Sequence, residues 1–465
     1  MGERELWRLG ATELAERIRA KEVSSREVVQ AHLDRIEAVN PVVNAVTRVL
    51  AEEALAAADV ADARTAEGPL HGVPITVKEN IDLAGAATTQ GVPALAAAVS
   101  AVDAPVVERM RAAGAIPIAR TNLPEFGLRV STVNPLHGRT WNPWDRTRVA
   151  GGSSGGEGAA LATGMSPLGL GNDIGGSLRN PAYCCGVASL KPTTGRVPHF
   201  MSMPPQDGGV ANQVMLAEGP MARTVADVQL AYGILSGRDA RDPFSVDAPL
   251  TGPVPTVRRA AVLLDVPGGP VDPSVSDAVR AAGAALEAAG WEVVEAVPPE
   301  LPRLMELWAR TLGEDLGVML PLMEATVSPE LVAMLRRLEE PFDVASMPMP
   351  MPMVHAERSR LMRAWAEFLG EHQVLVAPTW TQLPFEHDAD LREDGVELLL
   401  DLLRCIVPGN ILGIPAACVP CGLADGRPRG VQLYADRWRE DLCLDAAAVV
   451  EAAFGVLTPT EPVTG

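Results

Sequence analysis

Between Ala150 and Lys191 the chain reads AGGSSGGEGAALATGMSPLGLGNDIGGSLRNPAYCCGVASLK, and no other stretch restricts the fold as much. Two glycine-flanked serine sites stand in it, the pair Ser153-Ser154 and, further on, Ser177. Glycines let a backbone turn tightly and let its N–H groups face an oxyanion without side-chain obstruction. Three chemistries use such a loop. A phosphate cradle needs Gly-Lys-Ser/Thr, and no lysine precedes a serine or threonine after the glycines here. A nucleophile elbow needs G-x-S-x-G, which Gly152-Ser153-Ser154-Gly155-Gly156 satisfies. That elbow must follow a strand directly, whereas Asn142-Pro143-Trp144-Asp145-Arg146 upstream reads as a loop. The third chemistry is a serine pair served by a lysine. Lys78 ends the apolar run Gly72 to Val77, where alternation leaves it at the edge of the core. A desolvated lysine loses its charge more easily and can act as a base near neutral pH. Alone, a lysine after a strand reads as a snorkelling surface residue; the serines make it a candidate.

The rest of the chain alternates strand-like and helical patterns. Ser24 and Glu27 form a capping box, and Val28, Val29, His32, Leu33, Ile36 and Val39 recur at helical spacing until Pro41. His32 lies on that apolar stripe and reads as a packing residue. Apolar runs at 73–77, 116–119, 260–264, 374–376, 416–419 and 431–434 read as strands, with helices over 274–289 and 441–453 between them. This alternation predicts an α/β fold with a largely buried, mixed sheet. Length alone would allow about three domains. Composition divides the chain nowhere clearly, although 239–255 is rich in Pro and Asp. The expectation is one domain over 1–465: a catalytic core at about 65–235, a peripheral helical part at about 270–370, and a C-terminal part of the core at about 372–455. The alternating Met347 to Met353 segment is expected to be extended and on the surface, because its prolines oppose a helix, and its thioethers could form an apolar wall or lid over a substrate.

Composition excludes several classes. The 465 residues carry a formal net charge of −20, which argues against nucleic acid as a partner. No window reaches the ~18 consecutive apolar residues of a membrane helix; Ala94 to Val102 comes nearest. The charged start Met1-Gly2-Glu3-Arg4-Glu5 does not resemble a signal peptide, so a cytoplasmic protein with reduced thiols is expected. Cys418 and Cys421 mimic C-x-x-C, but alternation puts them on opposite faces and no second pair stands at zinc spacing. Cys184 and Cys185 read as buried thiols. His71 and His137 lie near the candidate segments, yet no ordered His/Asp relay accompanies them. No metal and no cofactor are expected.

The serine–lysine combination resembles the amidase signature family. The likeness runs through GVPITVKENID (72–82), TNLPEFG (121–127), NPLHGRTWNPWD (134–145), the Ser-Gly region, GPMARTVADV (219–228), NILGIPAACVPCG (410–422) and GVQL (430–433). It implies an α/β amidase-signature fold, a central mixed β-sheet covered by helices on both faces. It implies Ser177 as nucleophile, Ser153 as the bridging serine of the cis-serine element and Lys78 as base. The N–H groups of Ile174, Gly175, Gly176 and Ser177 would form the oxyanion hole, with Gly152, Ser154, Asp173 and Arg179 in support. The implied activity is hydrolysis of amide C–N bonds through an acyl-enzyme: carboxamides and anilides first, with carbamates (urethanes) and esters open to the same route. The partner would be a small molecule, and the protein a monomer or homodimer. An alternative within the family is the glutamine amidotransferase A subunit of a tRNA-dependent complex. Such subunits carry polar recognition groups near the C-terminal motif, where this chain reads Leu402-Leu403-Arg404-Cys405-Ile406-Val407. That departure favours a bulkier, apolar substrate.

Overall fold

The computed structural model describes residues 3–203, 207–339 and 349–464. The apolar runs become strands of one mixed sheet: β1 (Val46–Val49), β2 (Pro74–Lys78), β3 (Ile116–Thr121), β6 (Leu168–Asp173), β7 (Ala188–Lys191), β8 (Ala217–Ala222), β9 (Arg259–Val262), β10 (Glu292–Glu295), β11 (Val374–Pro378), β12 (Ala416–Ala424) and β13 (Arg427–Tyr434). A separate two-stranded hairpin holds β4 (Val133–Asn134) and β5 (Gly138–Arg139). The eleven strands lie in the order β1-β3-β2-β6-β8-β7-β12-β13-β11-β9-β10. β3, β2 and β6 run parallel, as do β11, β9 and β10, and the strands between pair antiparallel.

Helices cover both faces, which is why these strands read as continuous apolar runs. One core gathers residues of the helices Ser25–Val43, Gly155–Ala162, Leu301–Met323 and Met351–His372. The other gathers Ala11–Arg19, Pro105–Ala112, Val225–Leu235, Pro273–Ala288 and Glu440–Phe454. Cys418 joins the first core and Cys421 the second, so the two thiols lie on opposite faces.

Two proline expectations fail. The helix Ser25–Val43 passes through Pro41 and stops at Asn44, which takes the left-handed conformation at φ 51°. Pro41 removes one hydrogen bond two residues before that end, while the Asn40 amide oxygen accepts the N–H groups of Ala45 and Val46, at 2.8 Å each, and satisfies the exit. The helix Met351–His372 starts inside the Met-Pro segment, with Pro350 as its cap and Pro352 in its first turn. Proline is tolerated there because first-turn N–H groups have no partner within the helix. Met347 and Pro348 lie outside the described residues.

Candidate active site

The carboxyl ends of parallel strands are where ligand crevices form in open α/β sheets. β2 ends at Lys78 and its parallel neighbour β6 ends at Asp173. Gly169 and Gly171 of β6 let the loop and helix beyond Ser154 lie directly on the strand. A Cβ at Gly169 would fall 1.8 Å from Glu157 Oε1, and one at Gly171 would fall 2.9 Å from Ser154 Oγ. A loop, not a strand, leads into Ser153, so the elbow reading has no structural basis.

Lys78 is fully buried, with Nζ 2.7 Å from Ser153 Oγ and 2.7 Å from Asn172 Oδ1. Burial lowers its pKa from 10.5 to about 7 against the opposing fields of Glu218, Asp173 and Glu157. The Gly152–Ser153 peptide is cis. Ser177 sits in the turn after β6, and its carbonyl accepts the Ser154 N–H at 3.3 Å, so the two serine segments touch. Asn180 fastens them further, donating from Nδ2 to the carbonyls of Gly152 (3.1 Å) and Gly175 (3.3 Å).

The turn 174–177 differs from expectation at one residue. The Gly176 N–H is committed to Asp173 Oδ1 at 2.7 Å, while those of Ile174, Gly175 and Ser177 have no partner among the described residues. Asp173 turns back because its carboxylate also takes the Leu178 N–H and the fork of Arg179, both of whose bonds measure 3.0 Å. Burial alone would raise the Asp173 carboxyl, but Arg179 holds it far below the ordinary carboxylate range. Arg179 spends its remaining donors on Ile406 O, Gln432 Oε1, Tyr434 Oη and Asn410 Oδ1, tying the turn to β13 and the helix Val407–Ile411. Ser154 meets the site through its backbone. Its hydroxyl is buried without a partner among the described residues, so its contact with the site runs through the backbone N–H. Gly152 has no room for a side chain, since a Cβ there would lie 2.6 Å from Arg129 O.

Several contributors carried no sequence signal. Asn172 and Asn80 face each other through reciprocal amide bonds of 3.1 and 3.3 Å, which orient the Asn172 oxygen toward Lys78. Trp308, from the helix Leu301–Met323, donates from Nε1 to Ile174 O at 3.0 Å and lays its ring against Gly175. His32, His71 and His137 make no hydrogen bond to Lys78, Ser153 or Ser177 among the described residues. His32 is buried on its own Val28 carbonyl, and burial lowers its pKa to about 3. His71 bonds the Ala61 carbonyl, and His137 pairs with Glu79 at 3.0 Å. All six cysteines are buried free thiols. Among the described residues no group of three His, Cys, Asp or Glu side chains is placed to hold a metal ion, and no helix is long and apolar enough to cross a membrane.

Comparison with known proteins agrees with this architecture. The Amidase family profile matches residues 27–444. Indoleacetamide hydrolase of Bradyrhizobium diazoefficiens is 42% identical, the alignment covering 97% of this chain and 88% of that protein. The glutamyl-tRNA(Gln) amidotransferase A subunit of Salinispora arenicola is 35% identical, over 98% of this chain and 99% of that one. The structure of 6-aminohexanoate cyclic dimer hydrolase complexed with substrate superposes with a TM-score of 0.82 at 30% identity, covering 97% and 98% of the two chains. The chain is an α/β enzyme of the amidase signature class. It belongs to the Amidase family, and its activity is amidase-type hydrolysis of non-peptide C–N bonds.

Proposed function

We propose that this amidase works through a serine acyl-enzyme with Ser177 as nucleophile, Ser153 as relay and Lys78 as base. The observation that carries the reading is the 2.7 Å hydrogen bond from fully buried Lys78 to Ser153. Neutral Lys78 takes the Ser153 proton while Ser153 takes that of Ser177. Ser177 Oγ then attacks the amide carbonyl, whose developing oxyanion meets the unpartnered N–H groups of the 174–177 turn. The relay runs in reverse to protonate the leaving nitrogen, which departs poorly as an anion. Water attacks the acyl-enzyme and frees the acid. Gly152, Asp173 and Arg179 hold the two loops in register, and Gly176 belongs to that support through its bond to Asp173.

The substrate we propose is a small amide with an apolar, aryl-bearing acyl group or an aryl amine. Ile406 lies against Gly176, where a Cβ would come within 2.7 Å of its Cγ2, and Trp308 lies against Gly175. Ile406 and the Trp308 ring give the turn apolar neighbours beside the Asn180 amide, and these neighbours support an arylacetamide over glutamine. The same route takes aryl carbamates and esters. One domain acting on its own, as a monomer or homodimer in the cytoplasm, completes the reading. A hydrolysis panel on the purified chain tests it, holding glutamine, an aliphatic amide, indoleacetamide, an aryl anilide, an aryl carbamate and a matched ester, each beside Ser177→Ala. Turnover of the aryl amides with glutamine inert is expected. Glutamine turnover alone would place the chain with the amidotransferase subunits.

A further inference from the structure

β6 and β8 run antiparallel in a register that sets Glu218 directly opposite Asn172. Opposed residues of such a pair project from the same face of the sheet. Asn172 is the residue that accepts from Lys78, so a carboxylate stands two strands from the proposed base, with β6 between them. Glu218 is buried, and the chemistry above makes no use of it. Its Oε1 meets His199 Nδ1 at 2.8 Å, while Oε2 is buried with no hydrogen-bond partner among the described residues. His199 is 29% exposed in its side chain and lines a cavity of about 170 Å³ that also touches Leu216, Asp242 and Arg241.

The charges around Lys78 show what this pair adds. Three carboxyl groups face the lysine: Glu157 from the helix Gly155–Ala162, Asp173 from β6 and Glu218 from β8. Asp173 is neutralised by Arg179 in direct contact. Burial pushes Glu157 up to about 7, and it accepts two threonine hydroxyls, from Thr76 and Thr121. Glu218 has His199 as its counter-charge. An ionised carboxylate at that place favours the ammonium form of a nearby lysine, and an imidazolium beside it cancels the effect. Around His199 itself stand Glu218, Asp242 and Asp82. Asp242 accepts the backbone N–H of His199 at 3.0 Å, and Asp82 is engaged by the Ser202 backbone N–H and the Thr88 hydroxyl. Arg241 is already paired with Glu108 and Asp239. Burial is the largest influence and works against the charged imidazole, but the Glu218 hydrogen bond together with the negative fields of Glu218, Asp242 and Asp82 outweighs it, holding His199 above its ordinary value.

We propose that Glu218 and His199 are positioning residues of the amidase reaction, a charge pair across β8 that governs the protonation of Lys78 through the Asn172 row. This rests on the reading of Lys78 as base. Glu218 pulls the lysine toward its inactive ammonium form, and His199 restrains that pull.

The two side chains therefore act with opposite sign, which a merely structural role would not do. The test follows kcat/KM against pH on an arylacetamide that the wild type turns over, since the rising acid limb reports the base of the free enzyme. Glu218→Gln is expected to move that limb to lower pH by roughly half to one unit, and His199→Gln to higher pH by a similar amount. A limb that stays in place in both variants, or moves the same way in both, overturns the proposal. His199→Gln decides alone if Glu218→Gln fails to fold: the limb must rise or the proposal falls. Lys78→Ala separates this failure from that of the base assignment. Retained turnover in Lys78→Ala removes Lys78 as base, whereas an inactive Lys78→Ala beside unmoved limbs removes only the role of Glu218 and His199.

Discussion

Lys78 and Lys191 make an instructive pair. Each closes a strand of the same sheet, each is fully buried, and burial lowers each from 10.5 to about 7. Their partners differ. Lys191 donates to the carbonyl of its own neighbour Pro192 at 2.6 Å, with Arg179 adding repulsion to the desolvation. Lys78 donates to a serine hydroxyl and an amide oxygen from two other segments. A carbonyl can accept a hydrogen bond but cannot hand a proton onward, whereas a hydroxyl does both. A perturbed pKa marks a buried amine; the group it touches decides whether proton transfer can follow.

The comparison breaks most visibly in turnover. Ser177→Ala should lower kcat by on the order of 10⁴ to 10⁶, and Lys78→Ala by on the order of 10³ or more. Circular dichroism should show both variants folded. Lys191→Met should keep kcat/KM within about tenfold of wild type, because it removes a buried cation that touches no reacting atom. Loss of turnover in Lys191→Met equal to that in Lys78→Ala would erase the distinction.

Below the Lys78 value of about 7, kcat/KM should fall roughly tenfold per pH unit as the base becomes ammonium. A profile flat from pH 5 to 8 would count against a lysine base.

Stability sharpens the pair in a smaller way. Both lysines bind a proton more weakly folded than unfolded, so the unfolded chain holds more protons between about 7 and 10.5. Stability should therefore rise with pH across that window, by up to ~1.4 kcal/mol per unit for each lysine. Urea titrations at successive pH values should give Lys191→Met a shallower rise than the wild type. The smallest effect is expected from exhaustive chelation, which should leave turnover unchanged, since Cys418 and Cys421 lie in separate cores. Activity lost to a chelator and restored by a metal ion would reverse that expectation.

Local features were legible wherever neighbours in sequence carry them. The capping box at Ser24 and Glu27 forms both of its bonds, 3.1 Å to the Glu27 N–H and 2.7 Å from the Ser24 N–H. Strand runs became strands, and Lys78, Ser153 and the glycine turn before Ser177 lie together at the carboxyl ends of β2 and β6. The prolines misled because their effect depends on distance from a helix end. Pro41 lies two residues before one end and Pro352 one residue after another beginning. The Gly176 N–H misled for a different reason: which donor stays free depends on where the Asp173 carboxylate comes to lie.

Asn172, Asn180 and Trp308 lay beyond sequence reasoning altogether. An asparagine at a strand end and a tryptophan on an amphipathic helix are ordinary residues in ordinary places. Their importance comes from the β6–β8 register and from a helix that brings Trp308 onto the Ile174 carbonyl.

The sequence alone thus determined the α/β class, the candidate lysine and serines, and the glycines that clear space around them. Spacing, alternation and side-chain chemistry act over a few residues, so a linear text records them. Only the tertiary structure decided which of two equally buried lysines meets a hydroxyl, which backbone donors remain unspent, and that a carboxylate–imidazole pair stands beyond Asn172. Those outcomes depend on strand order and register across the whole sheet, where contacts join residues far apart in the chain and desolvation is set by what packs on both faces.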